Sequence, residues 1–247
     1  MAKWLGVVAS LLATGFAAGP ARAVRREAPI YDVLIRGGTI YNGSGAAPFV
    51  GDVGIRSDRI VYAGPPQGAT APRVVDAAGL AVSPGFINML SWSNESLLVD
   101  PRGQSELRQG VTLEVMGEGW SMGPLNDKMK ALAVKQQGDI KYPIQWTTLG
   151  DYFNFLQHKG TAMNVASFVG ATTVRQHELG DDDVPPTTAQ LTRMRALVRQ
   201  AMEEGAMGVA SSIIYPPATF AKTDELVALT TEAARCGGMY ISHMRSE

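Results

Sequence analysis

The chain has 247 residues, with 22 basic and 23 acidic side chains that leave a formal net charge of −1. This length can bury a sizeable core in one medium or two small domains. The near-neutral charge excludes the basic footprint of a nucleic-acid-binding protein and a polybasic membrane patch. The single Cys236 excludes an internal disulfide and a cluster of zinc-binding thiolates.

Residues 1–23 have the pattern of a secretory signal peptide. Lys3 gives a charged start, residues 4–18 are apolar and carry no charge, and Ala21-Arg22-Ala23 fits a cleavage site. The apolar stretch is shorter than the roughly 20 residues that a membrane-spanning helix needs, and an uncleaved anchor is the alternative. We therefore expect cleavage near Ala23 and export to the periplasm or the cell exterior.

Residues 24–80 predict a small β module. Its predicted strands alternate in polarity or are rich in β-branched residues, and they lie at residues 31–35, 39–42, 51–56, 59–63, 74–76 and 80–82. Gly37-Gly38 predicts one tight hairpin and Ser57-Asp58 predicts another. Because such short strands cannot bury a face alone, we expect a small β-sandwich that packs on the following domain.

From residue 81 the pattern alternates strands with helices, which is typical of a (β/α) barrel. Predicted strands begin at residue 86 and continue at residues 111–116, 165–170, 208–213 and 239–242, and predicted helices lie at residues 101–109, 149–159, 187–204 and 223–236. Thr187 with Gln190 predicts a capping box, and Thr223 is the predicted cap of the last helix. Residues 127–142 are polar and indicate no clear element.

Five predicted strands are fewer than the eight that close a (β/α)₈ barrel. Closure of the barrel removes the sheet edges, whereas an open arc of five strands would have two unpaired edges. We therefore expect residues 81–247 to be a partial barrel within the N-terminal portion of a longer protein, which reflects either a truncated gene or an incomplete record.

The stretch from the β module into the first barrel strand resembles a known family. Residues 83–87 read Ser-Pro-Gly-Phe-Ile and follow the strand at residues 32–38, like the opening of the amidohydrolase superfamily. Within it, the chain is similar to the N-acyl-D-amino-acid deacylases, or D-aminoacylases. Most members continue with Asp-x-His-x-His, which falls here on Asn88, Leu90 and Trp92. The resemblance thus implies a metal site without this histidine pair, and one zinc ion rather than two.

The resemblance also implies two metal ligands. His243 follows the fifth strand in a Ser-His-Met-Arg run similar to the family motif whose histidine binds the active-site metal. The family loop after strand 2 reads Gly-Asn-Cys-Gly, and alignment on Gly117 puts its ligand cysteine at Gly119, one place after Glu118. A carboxylate can replace a thiolate at zinc. The alternatives are a packing histidine at His243 and a solvent-facing carboxylate at Glu118.

Other polar residues are weaker candidates. Tyr215 lies in a Tyr-Pro-Pro loop that resembles a family segment whose tyrosine contacts substrate, with core packing as the alternative. His177 is either a loop residue or a group behind the site, and His158 is interpreted as a cation at a helix end. The triplet at residues 181–183 is interpreted as a solvated loop, with a calcium site as the alternative.

We therefore predict a zinc-dependent amidohydrolase that removes acyl groups from N-acyl-D-amino acids, with no nucleic-acid partner and no stable membrane span. The remaining ligand and the catalytic aspartate of the family lie on later strands beyond Glu247, so the 247-residue form is predicted to be inactive alone. One alternative is a hydrolase of cyclic amides, as in dihydroorotase or hydantoinase, although residues 208–213 lack the lysine used there. The other is a binding protein without catalysis.

Overall fold

The computed structural model describes residues 31–246, so the predicted signal peptide at residues 1–23 lies outside the described residues. The protein divides into two compact units, the first ending at Pro84 and the second beginning at Gly85. Within the described range, none of the helices has the length and apolar character needed to span a bilayer.

The first unit contains one mixed β-sheet. Its strands are β1 (Val33–Ile40), β2 (Phe49–Arg56), β3 (Arg59–Gly64), β4 (Arg73–Asp76) and β5 (Ala81–Val82). The sheet order is β3-β2-β1-β4, with β5 also paired to β1. The pairs β1–β2 and β2–β3 are antiparallel, whereas β4 and β5 run parallel to β1. The described strands of this unit thus form a single sheet, and the predicted sandwich is not confirmed.

The two predicted hairpins of this unit have different outcomes. The hairpin at Gly37-Gly38 is wrong, because β1 runs through both glycines and its register with β2 shifts between Ile35 and Gly38. Gly37 has a φ of 71° and donates its N–H to Asp52 Oδ1 at 2.9 Å, which is a bulge rather than a turn. The hairpin at Ser57 is confirmed, since β2 and β3 pair on either side of it.

The second unit is built on parallel strands. They are β6 (Phe86–Asn88), β7 (Val111–Met116), β8 (Asn164–Ser167), β9 (Val169–Gly170), β10 (Gly208–Ser212) and β11 (Met239–His243). One sheet has the order β6-β7-β8 and the other has the order β11-β10-β9. Only Phe168 separates β8 from β9, and its N–H donates to the Met116 carbonyl at 2.9 Å. Five strand positions therefore follow one another in chain order, without closure into a barrel among residues 31–246.

Helices connect these strands. They are α1 (Ser96–Val99), α2 (Gln104–Arg108), α3 (Asp127–Gln136), α4 (Leu149–Lys159), α5 (Ala171–Leu179), α6 (Thr188–Glu203) and α7 (Thr223–Arg235), with a 3-10 turn at Ala218–Phe220. The capping box at Thr187 and Gln190 is confirmed. Thr223 is the first residue of α7 rather than its cap, which is Lys222. Helix α2 is shorter than predicted because Gly103, with a φ of 47°, precedes it.

The parallel strands have two differently packed faces. Met116 and Val209 belong to the main core, in which strand side chains pack against helices, whereas Ala210 and Ile241 belong to a second cluster. The members of that second cluster come from the strands, from Phe168 between β8 and β9, and from Met207 beside β10: Leu113, Val115, Ala166, Phe168, Met207, Ala210 and Ile241. We call these the helix-covered face and the inner face. Because side chains alternate along a strand, the residues two places after Ala210 and Ile241 also belong to the inner face.

Candidate functional site

Two predicted ligands lie at the carboxyl ends of parallel strands. His243 is the last residue of β11, and Glu118 lies in the loop directly after β7. Gly117 and Gly119 flank Glu118 with φ values of 92° and 74°, a backbone region that glycine adopts without steric cost. This left-handed backbone forms the loop that carries the Glu118 carboxylate.

The structure brings these two side chains together. Glu118 Oε1 lies 3.8 Å from His243 Nδ1, and the side chains are 12% and 25% exposed. Two ligands of one tetrahedral zinc, each at about 2.0–2.2 Å from the ion, are about 3.4 Å apart. A carboxylate oxygen and an imidazole nitrogen are both accepted zinc donors, so the pair fits one ion after a small side-chain adjustment.

Aromatic side chains border this pair. The Tyr215 and His243 rings are 5.6 Å apart between centroids and nearly perpendicular, at 76°. The Trp120 ring lies 6.3 Å from Tyr215, and its Nε1–H donates to Gln176 Oε1 at 3.2 Å. Sequence reasoning missed Trp120 as a site residue, although its position in the glycine-rich loop after β7 was an available signal.

Residue 119 has no room for a side chain. A Cβ there would lie 2.7 Å from the Ser212 Cβ and 3.1 Å from its backbone nitrogen, and closer still to its Oγ. The cysteine that the family resemblance aligns with Gly119 therefore does not fit this backbone. Ser212 was also missed by sequence reasoning, because a serine near the end of a strand carries no distinctive pattern.

The other predicted positions lie outside this arrangement. Asn88 donates its amide to Glu114 Oε2 at 3.2 Å, which ties β6 to β7, while Leu90 and Trp92 are exposed. His177 is a residue of α5, and its Nδ1 lies 3.2 Å from Glu178 Oε1.

The two remaining candidates from the sequence are His158 and the acidic triplet at residues 181–183. His158 is in the last turn of α4, with Nδ1 2.6 Å from the Asn154 carbonyl. Within residues 31–246 no group of three His, Cys, Asp or Glu side chains could hold an ion, so the calcium alternative at residues 181–183 gains no support.

No protein-family model matches the chain, but individual relatives do. It is 34% identical to an N-acyl-D-aspartate deacylase of Alcaligenes xylosoxydans xylosoxydans over 92% of this chain and 46% of the relative. It also superposes on the crystal structure of a D-aminoacylase with a TM-score of 0.77 and 32% identity, over 88% of this chain and 46% of the other. The chain is a homologue of the D-aminoacylases. It spans about half the length of the curated relatives it matches.

Metal is documented in a solved structure of this D-aminoacylase group. An N-acyl-D-glutamate deacylase of Bordetella bronchiseptica, solved with zinc and a phosphonate inhibitor that mimics the tetrahedral intermediate, matches with a TM-score of 0.75 and 31% identity, over 88% of this chain and 46% of that chain. In this D-aminoacylase homologue, the Glu118 carboxylate follows β7 and the His243 imidazole ends β11. Its Leu90 and Trp92 supply no donor atom to a metal.

A cavity of about 670 Å³ is lined in part by Trp120 in this D-aminoacylase homologue. The Trp120 ring also lies 6.3 Å from the Tyr215 ring, but Glu118, His243 and Tyr215 do not line the cavity. Tyr142 lies elsewhere in the lining and donates its hydroxyl to Glu95 Oε1 at 2.8 Å. Burial and the neighbouring Glu95 carboxylate raise the pKa of Tyr142, so its hydroxyl stays protonated and continues to donate.

Proposed function

We propose that this chain is part of a metal-dependent amidohydrolase that hydrolyses the amide bond of N-acyl-D-amino acids. The observation that carries the proposal is the 3.8 Å approach of Glu118 to His243 at the carboxyl ends of β7 and β11. Parallel α/β barrels build their active sites at this end of the strands. The homology with N-acyl-D-amino-acid deacylases supports the reaction class and the small-molecule substrate.

Glu118 and His243 would hold one zinc ion. When bound, zinc lowers the pKa of a bound water to about 7 and polarises a carbonyl oxygen, the two requirements of amide hydrolysis. The proposal is for one ion because Leu90 and Trp92 replace the histidines of the family motif. Glu118 is only 12% exposed, so bulk water competes weakly for its carboxylate.

Tyr215 and Trp120 would orient the substrate beside this pair. The phenol of Tyr215 can donate a hydrogen bond to the acyl or the carboxylate end of the substrate. The indole N–H of Trp120 donates to Gln176, and its ring lies 6.3 Å from the Tyr215 ring, so a substrate bound at Tyr215 would also meet Trp120. Binding through both side chains would hold the scissile amide against the cation site.

The architecture and location belong to the same proposal. The five successive parallel strand positions fit a partial (β/α)₈ barrel over residues 81–247, preceded by a β module at residues 24–80. The leader pattern at residues 1–23 supports export. N-terminal sequencing of the protein secreted by its source organism is expected to begin at Val24. An N-terminus at Met1 on that protein contradicts the proposed cleavage.

A binding protein without catalysis is the second candidate, because Leu90 and Trp92 have replaced the histidine pair. The two candidates separate in one experiment on the protein at the length its source organism produces. Purified protein is assayed for zinc content and for release of free amine from N-acetyl-D-amino acids, with the L-isomers as the control. The hydrolase proposal predicts bound zinc and D-selective release, with loss of both in His243→Asn and in Glu118→Gln.

Other results assign the protein differently. Zinc-free protein that releases no amine from any N-acyl-D-amino acid overturns the hydrolase and favours the binding protein. Release that persists unchanged in both His243→Asn and Glu118→Gln shows that the cation site is not the reaction site.

A further inference from the structure

One hydroxyl group beside the candidate site is buried without a hydrogen-bond partner. Ser212 is fully buried, and its Oγ makes no hydrogen bond in the described structure. Buried hydroxyls in native proteins nearly always have a partner, so an unpartnered one calls for a ligand, an ion or a bound water.

Ser212 lies beside the proposed cation site, on the same sheet face as His243 and against Gly119. Ser212 is the last residue of β10, is in register with His243 on β11, and shares the inner face with it. Side chains in register on neighbouring parallel strands lie on the same face, about 4.8 Å apart. On its other side, the Ser212 side chain contacts Gly119, the residue after Glu118, so closely that a Cβ at residue 119 would lie 2.7 Å from the Ser212 Cβ.

The neighbouring serine on the same strand shows the opposite behaviour. Ser211 lies on the helix-covered face, where its Oγ is 2.7 Å from the Tyr240 hydroxyl and 2.9 Å from Ser242 Oγ. Both serines are fully buried, so burial alone does not distinguish them. The difference is that the hydroxyls of the helix-covered face satisfy one another, whereas Ser212 has Gly119 beside it, which offers no side-chain partner.

We propose that Ser212 Oγ is a third donor to the divalent cation held by Glu118 and His243. The inference rests on the proposed cation site and adds a ligand to it. The hydroxyl would bind through an oxygen lone pair and keep its proton, so the site would have one carboxylate, one imidazole and one neutral oxygen. Within the described residues, three protein donors leave one position of a tetrahedral zinc for a further ligand. Ser212 also fills the volume beside Gly119 that a side chain at residue 119 would need.

The first test is zinc affinity of the purified protein at the length its source organism produces, measured by competition with a chromophoric chelator. Ser212→Ala is expected to weaken zinc binding by about 10-fold, in the range that loss of a supporting polar group produces. Ser211→Ala is the matched control, one residue away on the other face, and its zinc affinity is expected to equal that of the wild type. Glu118→Gln and His243→Asn are expected to weaken binding by more than Ser212→Ala.

The second test uses spectroscopy, so that it does not depend on enzymatic activity. In a Cys236→Ser background, which removes the natural thiol, Ser212→Cys is expected to give a thiolate-to-cobalt charge-transfer band when cobalt(II) is added. Ser211→Cys in the same background is expected to give none. Far-ultraviolet circular dichroism of all variants checks that each retains the fold.

The outcomes separate this inference from the proposed function. If Glu118→Gln and His243→Asn lose zinc while Ser212→Ala binds normally and Ser212→Cys gives no band, the cation site stands and the role of Ser212 is overturned. If the wild-type protein of that length binds neither zinc nor cobalt, the proposed cation site fails, and the third donor fails with it. A charge-transfer band in Ser212→Cys but not in Ser211→Cys, together with weakened zinc binding in Ser212→Ala, supports Ser212 as the third donor.

Discussion

The polar groups of the second unit fall into two regions with different bonding. Between the helices, Arg175 and Glu225 are both buried and joined at 2.6 Å, and Arg175 also donates to the Val184 carbonyl at 2.7 Å. At the carboxyl ends of the strands, Glu118 and His243 stay 3.8 Å apart and Ser212 Oγ has no hydrogen-bond partner. The first region uses its charges to join segments of the chain. In the second, the buried Ser212 hydroxyl joins no other segment and is available to a ligand.

The largest predicted effect is a loss of stability when the ion pair between the helices is removed. Arg175→Met removes the partner of a buried Glu225 and the two carbonyl contacts that fasten the loop after α5. The free energy of unfolding is expected to fall by about 3–5 kcal/mol, the usual cost of leaving one member of a buried ion pair without its partner. Urea denaturation of the 247-residue chain measures it, and zinc affinity of the folded fraction is expected to be unchanged.

A double variant serves as the control for this prediction. Arg175→Met combined with Glu225→Leu removes both charges and is expected to lose less stability than Arg175→Met alone, because no carboxyl group remains buried and unpaired. A single variant as stable as the wild type would show that the pair contributes nothing to the fold.

The second prediction adds metal-binding side chains near the strand ends. The ion pair between the helices would not be affected. Leu90 and Trp92 are 50% and 58% exposed, so their replacement by histidine costs little packing. Leu90→His with Trp92→His is expected to bind a second zinc, since imidazole is a common zinc ligand. Metal analysis after dialysis measures the stoichiometry, with Leu90→Asn and Trp92→Phe together as the control. Unchanged zinc content in the histidine variant would place β6 too far from the cation site.

The smallest predicted effect concerns Glu232, which joins α6 to α7. Burial by itself would raise the pKa of this carboxyl, but hydrogen bonds from Arg199 and Arg195 lower the pKa below the ordinary 4.5. Because the folded-state pKa is depressed, ionised Glu232 contributes stability above about pH 4.5, and the contribution is lost as pH falls through the lower folded value.

Glu232→Gln is therefore expected to cost about 1 kcal/mol near neutral pH, since the arginine side chains are partly exposed to solvent. The difference in urea midpoint between wild type and variant is expected to shrink as the pH is lowered toward about 3. A difference that stays constant over this range would show that the carboxylate charge does not stabilise the pairing of α6 with α7.

The sequence predicted features that depend on neighbours along the chain. The capping box at Thr187 and the ends of β7 follow from local residue types, and both are confirmed. The approach of Glu118 to His243 was predicted from strand ends and from the family resemblance rather than from local pattern. In contrast, Gly37-Gly38 looks like a turn locally, but β1 pairs with β2 and β4 before the glycines and with β2 and β5 after them, which keeps the strand extended.

Features that depend on contacts between distant segments were not predicted. Ser212 acquires its environment from Gly119, which lies 93 positions earlier in the chain (212 − 119). Helix α5 was missed because it contains Thr172 and Thr173, which are weak helix formers on their own. Both residues are buried, so packing stabilises the helix at a place where local propensity does not predict it. In both cases the packing partner decides the local structure, and its identity is not readable from the segment itself.

The contact between Gly119 and Ser212 also constrains how the two positions can evolve. A mutation that placed cysteine at residue 119 first would meet the serine side chain and be removed by selection. Trimming residue 212 to glycine first would remove its Cβ and Oγ from this space, and a thiol at residue 119 would then still need a shift of the backbone, whose φ is 74° and which lies close to the residue-212 nitrogen. The two positions are therefore expected to change in a fixed order. Relatives are expected to have a side chain at the position of residue 119 or at that of residue 212, and rarely at both.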